Sequence, residues 1–215
     1  MSSPALAPRA LYEQVAEQLR QRIFRRELAP GSWIDELKIA DEYGISRTPL
    51  REAHKVLAAE GLITMKVRRG AYVTEVSETD LADVYHLLGL LESDAAAAVA
   101  RHASDADLAQ LEQLHRQLEA AQALGPAGAQ QFLDLNIRFH GQLLALAGNR
   151  WREQMVNDLR KMMKLHGHAS MFKSGRMQQS LHEHRALLQA LKARDAEAAM
   201  ARMREHFHSG LEAAY

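Results

Sequence analysis

The chain contains no cysteine. That excludes disulfides, thiolate catalysis and cysteine-held zinc, and it suits a reducing compartment, so a cytoplasmic location is expected. There is no excess of charge of either sign: Lys+Arg and Asp+Glu both number 27. No global field would draw the molecule to nucleic acid, so any such binding has to rest on local placement of cations. No run is long and apolar enough to span a bilayer, and no membrane partner is expected. Residues 1–9 lack the basic start and apolar centre of a secretory leader and read as a flexible arm. No internal repeat is visible. The 215 residues, 47% hydrophobic and 25% charged, allow one large soluble domain or two modest ones.

The most informative stretch runs Tyr43-Gly44-Ile45-Ser46-Arg47-Thr48-Pro49-Leu50-Arg51. Ser46 can cap a new helix with its hydroxyl, and Pro49 is tolerated in a first turn whose N–H groups have no intrahelical partner. Residues 35–43 form a short preceding helix with Leu37, Ile39 and Ala40 as apolar positions, and Gly44 supplies the turn. Helix, glycine turn and a second helix with a basic leading end make a helix-turn-helix. Arg47, Thr48 and Arg51 then lie where a helix entering the major groove meets base edges and phosphates. Upstream, Leu11, Val15, Leu19 and Ile23 mark an amphipathic helix over residues 10–27. Downstream, Leu62–Met65 and Ala71–Thr74 read as two short strands joined by Lys66-Val67-Arg68-Arg69-Gly70. A basic hairpin tip beside a helix-turn-helix is a wing, suited to phosphate or minor-groove contact.

Strand signals stop after Val76, and the pattern is helical from there on. Breaks near Ser104, Gly125–Gly128, Gly148-Asn149, Lys173–Gly175 and Asp195 divide it into six helices with short connections, an antiparallel bundle. The fold class is therefore mainly α: a winged helix-turn-helix over residues 10–76, followed by an all-α bundle over residues 77–215. Trp33 is expected to pack under the first unit and Trp151 to anchor its helix. Three of the 11 histidines continue apolar stripes. His140 follows Leu133 and Ile137, His184 follows Leu181, and His206 follows Met200 and Met203, whereas His182 and His208 fall on the opposite faces. Asn136 sits one turn before His140, so both can reach one point. A lone inward histidine is usually a hydrogen-bonded core residue. Three imidazoles converging from three helices need partners, and a shared divalent ion is one that supplies them. Zinc, nickel or manganese suits such nitrogen ligands better than magnesium.

Several blocks resemble the GntR family of bacterial transcription regulators: "LYEQVAEQLRQRI", "LAPGSWIDE", "YGISRTPLREAHKVLAAEGLI" and "RRGAYVTEV". The resemblance implies double-stranded operator DNA as partner, with Arg47, Thr48, Arg51 and the wing tip at Gly70 in contact with it, and Arg68 and Arg69 beside that tip. Where members often have arginine after the glutamate matching Glu36, this chain has Leu37 followed by Lys38. Lys38 is a candidate contact, although a point charge differs from a planar fork. "NIRFHGQLLALAGN", "LHEHRALLQALKARDAEAAMARMREHF" and "LLES" resemble the helical ligand-binding domain of the FadR-type branch, the FCD domain. Many members hold a divalent metal there through an aspartate and three histidines. His140, His184 and His206 match the histidines, and Asn136 stands in the aspartate's place. Members also carry an effector-facing arginine where this chain has Leu88. Arg138, Arg160, Lys164 and His166 are the candidates to bind an effector instead, a carboxylate being one candidate class.

The resemblance implies a homodimeric regulator, commonly a repressor, that responds to a small-molecule effector. Two alternatives stay open at this point. One is a regulator whose helical half only dimerises. The other is a metal-dependent enzyme, for which His182-Glu183-His184 has the wrong spacing and which would leave the helix-turn-helix unexplained.

Overall fold

The computed structural model describes residues 10–167, 173 and 175–215. These divide into two compact units: the residues up to Ser77 with Lys164–His166, and Glu78–Met163 with Gly167–Tyr215.

In the first unit α1 (Leu11–Phe24) buries Val15, Ala16, Leu19 and Ile23 along one face, against α3 (Arg47–Ala59). Each of the three larger side chains contributes on the order of 1.5–3 kcal/mol by leaving water. Between them stands α2 (Glu36–Tyr43), capped by the Asp35 carboxylate, which accepts from the Leu37 and Lys38 amides at 3.0 and 3.1 Å. Gly44 ends α2 at φ 62°, a left-handed conformation that frees the chain to turn at once into α3. Ser46 holds the N-cap position of α3, but its hydroxyl makes no cap bond, contrary to expectation. The third residue of α3 is Pro49, so one of the two amides a cap hydroxyl would take is missing.

The wing is an antiparallel hairpin of β1 (Ile63–Lys66) and β2 (Gly70–Val73), with Ile63 opposite Val73 and Lys66 opposite Gly70. Residues 31–34 run beside β2, with the Ile34 amide donating to the Ala71 carbonyl at 2.9 Å. Alternation along this segment buries Ile34 and turns Trp33 outward. Trp33 is 54% exposed and lies over Gly70, so it flanks the wing rather than packing beneath the unit.

The second unit is the bundle. The long α4 (Glu78–His102) packs along α9 (Ala196–Glu212), α9 packs on α8 (Arg176–Lys192), and α5 (Asp105–Ala123) lies on α6 (Ala129–Leu146) and α8. Small residues at Ala95, Ala96, Ala97 and Ala100 are buried on α4 and let its neighbours approach closely. Ser104 and Asp107 form a reciprocal capping box on α5. A short 3-10 turn, Gly125–Gly128, joins α5 to α6. Asn149 caps α7 (Arg150–His166) and Asp195 caps α9. The break expected near Lys173–Gly175 comes sooner: α7 ends at His166, with Gly167 after it, and residues 168–172 and 174 lie outside the described residues. Trp151, expected as an anchor, is 61% exposed, with the Arg150 guanidinium 4.6 Å from its ring.

Candidate metal centre and nucleic-acid interface

His140 on α6, His184 on α8 and His206 on α9 meet inside the bundle. One ring nitrogen from each lies within 4.8 Å of the others. The rings stand 5.3 Å (His140–His184), 5.0 Å (His140–His206) and 4.8 Å (His184–His206) apart, and all three are buried. His182 and His208 face solvent, as their spacing predicts.

Two arginine–glutamate relays support the cluster. The Nδ1 of His140 lies 2.6 Å from Glu92 Oε2 on α4, and the other oxygen of Glu92 accepts from Arg160 on α7. The Nδ1 of His206 lies 2.6 Å from Glu183 Oε2, and Glu183 accepts a fork of three bonds at 3.0–3.1 Å from Arg176. Burial by itself would raise the Glu92 carboxyl, but Arg160 and His140 outweigh it and hold it at about 2. An ionised Glu92 only accepts, which places the proton of His140 on Nδ1 and leaves Nε2 with a free lone pair. Burial, only partly offset by Glu92, pushes His140 down to about 4. Glu183 is likewise held below the ordinary carboxyl value: burial opposes ionisation, and bonds from His206 and Arg176 overcome it.

His184 has no such relay. It stacks on Phe139 at 4.4 Å, and burial pushes it well below its ordinary value, with His206 and His140 adding to the effect. Both of its ring nitrogens are buried and without a hydrogen-bond partner among the described residues, as is Asn136 Oδ1. Buried unsatisfied donors and acceptors are uncommon and call for a partner. Neutral imidazoles with free lone pairs, orphaned polar atoms and carboxylates behind two of the rings are the donor chemistry of a divalent metal site, so these residues fit the ion that the sequence suggests.

Of the expected effector residues, Arg160 alone is brought to this cluster, through Glu92. Arg138 is exposed, because two residues' spacing from His140 turns it about 200° around α6. Lys164 and His166 group with the first unit: the Lys164 ammonium lies 4.2 Å from the Phe24 ring, and His166 Nδ1 lies 3.4 Å from the Val76 carbonyl. Arg176 escaped the sequence reading, Glu183 entered it only within the ill-spaced His182-Glu183-His184 motif, and Glu92 only within the block "LLES". Their signal was present: Glu92 follows Leu88 by one turn on a buried stripe, and Arg176 precedes Glu183 by two turns of one helix.

On the first unit, Arg47, Thr48 and Arg51 are exposed together over the first two turns of α3. Lys38 is exposed in the first turn of α2 beside a 66% exposed Leu37. Arg68 and Arg69 are exposed at the wing tip, where Arg68 adopts φ 61° and Gly70 φ 86°. An exposed helix end rich in arginine, with a basic hairpin beside it, has the chemistry to engage a duplex.

Together these features define a winged helix-turn-helix unit joined to an all-α bundle. Residues 11–73 match the bacterial regulatory proteins of the gntR family, and residues 83–209 match the FCD domain. The chain belongs to the GntR family of transcription regulators, among those that carry an FCD domain. It is 29% identical over 208 residues to the HTH-type transcriptional regulator YdhC of Bacillus subtilis, covering 95% of this chain and 91% of that one. It is 27% identical over 195 residues to the transcriptional repressor RspR of Escherichia coli, covering 90% and 84%. The fold is similar to that of E. coli McbR/YncC, with TM-score 0.75, 24% identity and 96% and 97% of the two chains covered. The matching domains and relatives are those of transcription regulators, which sets aside the enzyme alternative.

Proposed function

We propose that this regulator is a cytoplasmic, homodimeric repressor of the FadR-type branch. It binds a palindromic operator through α3 and the wing and responds to a small-molecule effector at a metal-containing centre in the bundle. His140, His184 and His206 would hold the ion, with the amide oxygen of Asn136 as a further donor. Arg47, Thr48 and Arg51 would read the operator, Arg68, Arg69 and the Gly70 tip would meet its backbone, and Lys38 would add a phosphate contact.

One observation carries the metal reading: His184 is fully buried, with both nitrogens lacking a hydrogen-bond partner among the described residues, beside two histidines whose Nδ1 atoms are already engaged. A bound divalent ion supplies a Lewis-acidic centre to which an effector oxygen can attach. The chain's own groups do the rest. Glu92 and Glu183 fix the rings of His140 and His206, while Phe139 and Phe207 wall the cluster on apolar sides. A carboxylate suits such a centre, because its anionic oxygen meets a cation in a dry surrounding. An effector that binds one arrangement of the dimer more tightly shifts the operator equilibrium by that difference in affinity.

The test is elemental analysis of protein purified without chelator, followed by titration of the stripped protein with zinc, nickel and manganese while thermal unfolding is recorded. A ligand of the native state raises the midpoint. Absence of metal together with an unmoved midpoint would leave the histidines as a core cluster and remove the metal from this reading.

A further inference from the structure

A carboxylate stands on the surface that should meet DNA. Glu36, the first residue of α2, places Oε2 3.3 Å from Arg51 Nε and Oε1 3.5 Å from Nδ1 of His54. His54 lies beneath it on α3, 0% exposed, with both nitrogens lacking a hydrogen-bond partner among the described residues. An acidic group near phosphates opposes binding to any duplex, so its placement beside an exposed arginine needs a reason.

We propose that Glu36 is a positioning residue for operator reading: it holds Arg51 by its inner nitrogen and so aims the terminal pair at a base edge. The inference rests on reading α3 as the operator-facing helix. Arginine can present a carboxylate or guanine with either its side, Nε and one Nη, or its end, both Nη atoms. With Nε engaged, the end-on pair is the one left free. The arginine is the more exposed partner, its side chain 60% exposed against 21% for Glu36. The carboxylate is anchored by the Asp35-capped first turn and backed by the buried imidazole, so less of the pair's energy is lost to ordering than in two free surface side chains. The negative charge by itself lowers affinity for every duplex alike, so a change in the ratio between operator and non-operator binding reports the aiming of Arg51.

The experiment uses the full chain and two duplexes: one enriched by the wild type from a random pool, and one unrelated duplex of equal length. Glu36→Gln keeps the shape and removes the charge; Glu36→Ala removes both. Each should weaken binding to the enriched duplex about tenfold, the loss of one aligned bidentate contact. Each should also tighten binding to the unrelated duplex, with the thermal midpoint unchanged. Adding Glu36→Ala to Arg51→Ala should cost nothing further in the ratio, since the two act as one unit. Equal weakening on both duplexes, or additive losses in the double variant, would make Glu36 merely structural and overturn the inference. An unchanged ratio in Glu36→Gln and Glu36→Ala would overturn it as well. If the wild type enriches no duplex, the operator reading itself falls and takes this inference with it.

Discussion

Glu183→Gln, compared with the same change made together with Arg176→Met, separates what the relay would do for the proposed metal from what it does for the fold. Glu183 bonds Nδ1 of His206 at 2.6 Å and takes three bonds from Arg176, a side chain only 4% exposed. Two effects follow from the substitution. The first is local to the centre: losing a carboxylate behind a metal-binding histidine weakens metal binding about 10–100-fold. The second is global: Arg176 is left as a buried charge without its counterion, at a cost of about 3–5 kcal/mol. For a domain of this size that lowers the melting midpoint on the order of 10 °C. A single variant would mix the two. The double variant Arg176→Met/Glu183→Gln removes the stranded charge, so most of the lost midpoint should return while metal binding stays weak. Isothermal titration of stripped protein with zinc reads one quantity, and unfolding in chelator reads the other. If the double variant regains wild-type zinc affinity along with its midpoint, Glu183 serves the fold alone and the relay has no part in the centre.

Other consequences are as direct. Arg47→Ala should cost about 1–3 kcal/mol of operator affinity, the worth of a good base contact, and leave the unfolding midpoint where it was; equal affinity in an anisotropy titration would remove Arg47 from the reading surface. Arg68→Ala and Arg69→Ala should each make the salt dependence of binding shallower by about one unit of log–log slope, and a changed base preference at constant slope would mean that the wing reads bases. Burial lowers the pKa of His54, with Glu36 opposing only in part. An unfolded histidine takes its proton near pH 6.5, about its ordinary value. The first unit should therefore be at full stability above that pH and lose it as the pH falls toward the lower folded value. His54→Leu should flatten this acid slope in chemical denaturation, and an unaltered slope would clear His54 of any part in it. Asn136→Asp puts an anionic oxygen in place of a neutral one on the turn before His140, so it should tighten metal binding; equal zinc affinities would place residue 136 outside the ligand set.

The parts of this molecule that could be read from its sequence are those fixed by local rules. The glycine turn at Gly44 and the helix breaks near Ser104 and Asp195 each depend on a few neighbouring residues, and each appears in the structure. The inward faces of His140, His184 and His206 follow from helical period alone. The misreadings come from elsewhere. Ser46 stands at the N-cap without a cap bond, and Pro49 removes one of the two N–H groups its hydroxyl could take, a detail that helix-start statistics average over. Trp33 looks like core by type, yet the pairing of its segment with β2 decides which way it points. Arg138 and Arg160 look equivalent in sequence, but their rotation about the helix leaves one in solvent and brings the other to Glu92. The His140–Glu92 contact is hidden from local reading because the two residues are 48 apart, whereas the Arg176–Glu183 pair shares one helix and was open to it.

The zero net charge, which leaves nucleic-acid binding to local placement of cations, is explained by where the cations are used. Arg160 and Arg176 are turned inward against Glu92 and Glu183 and add nothing to the external field at short range. Arg185, Arg194 and Lys192 are paired across the bundle with Glu119, Asp105 and Glu112. Arg47, Arg68, Arg69 and Lys38 instead stand exposed on α3, the wing and the start of α2. These exposed cations stand on elements of the first unit, while the bundle cations just named are paired within the bundle. With screening over roughly 8–10 Å, a duplex meets the local patch rather than the sum. Affinity for DNA in such a chain should therefore respond steeply to single changes on α3 and the wing, and hardly at all to charge changes on the bundle surface.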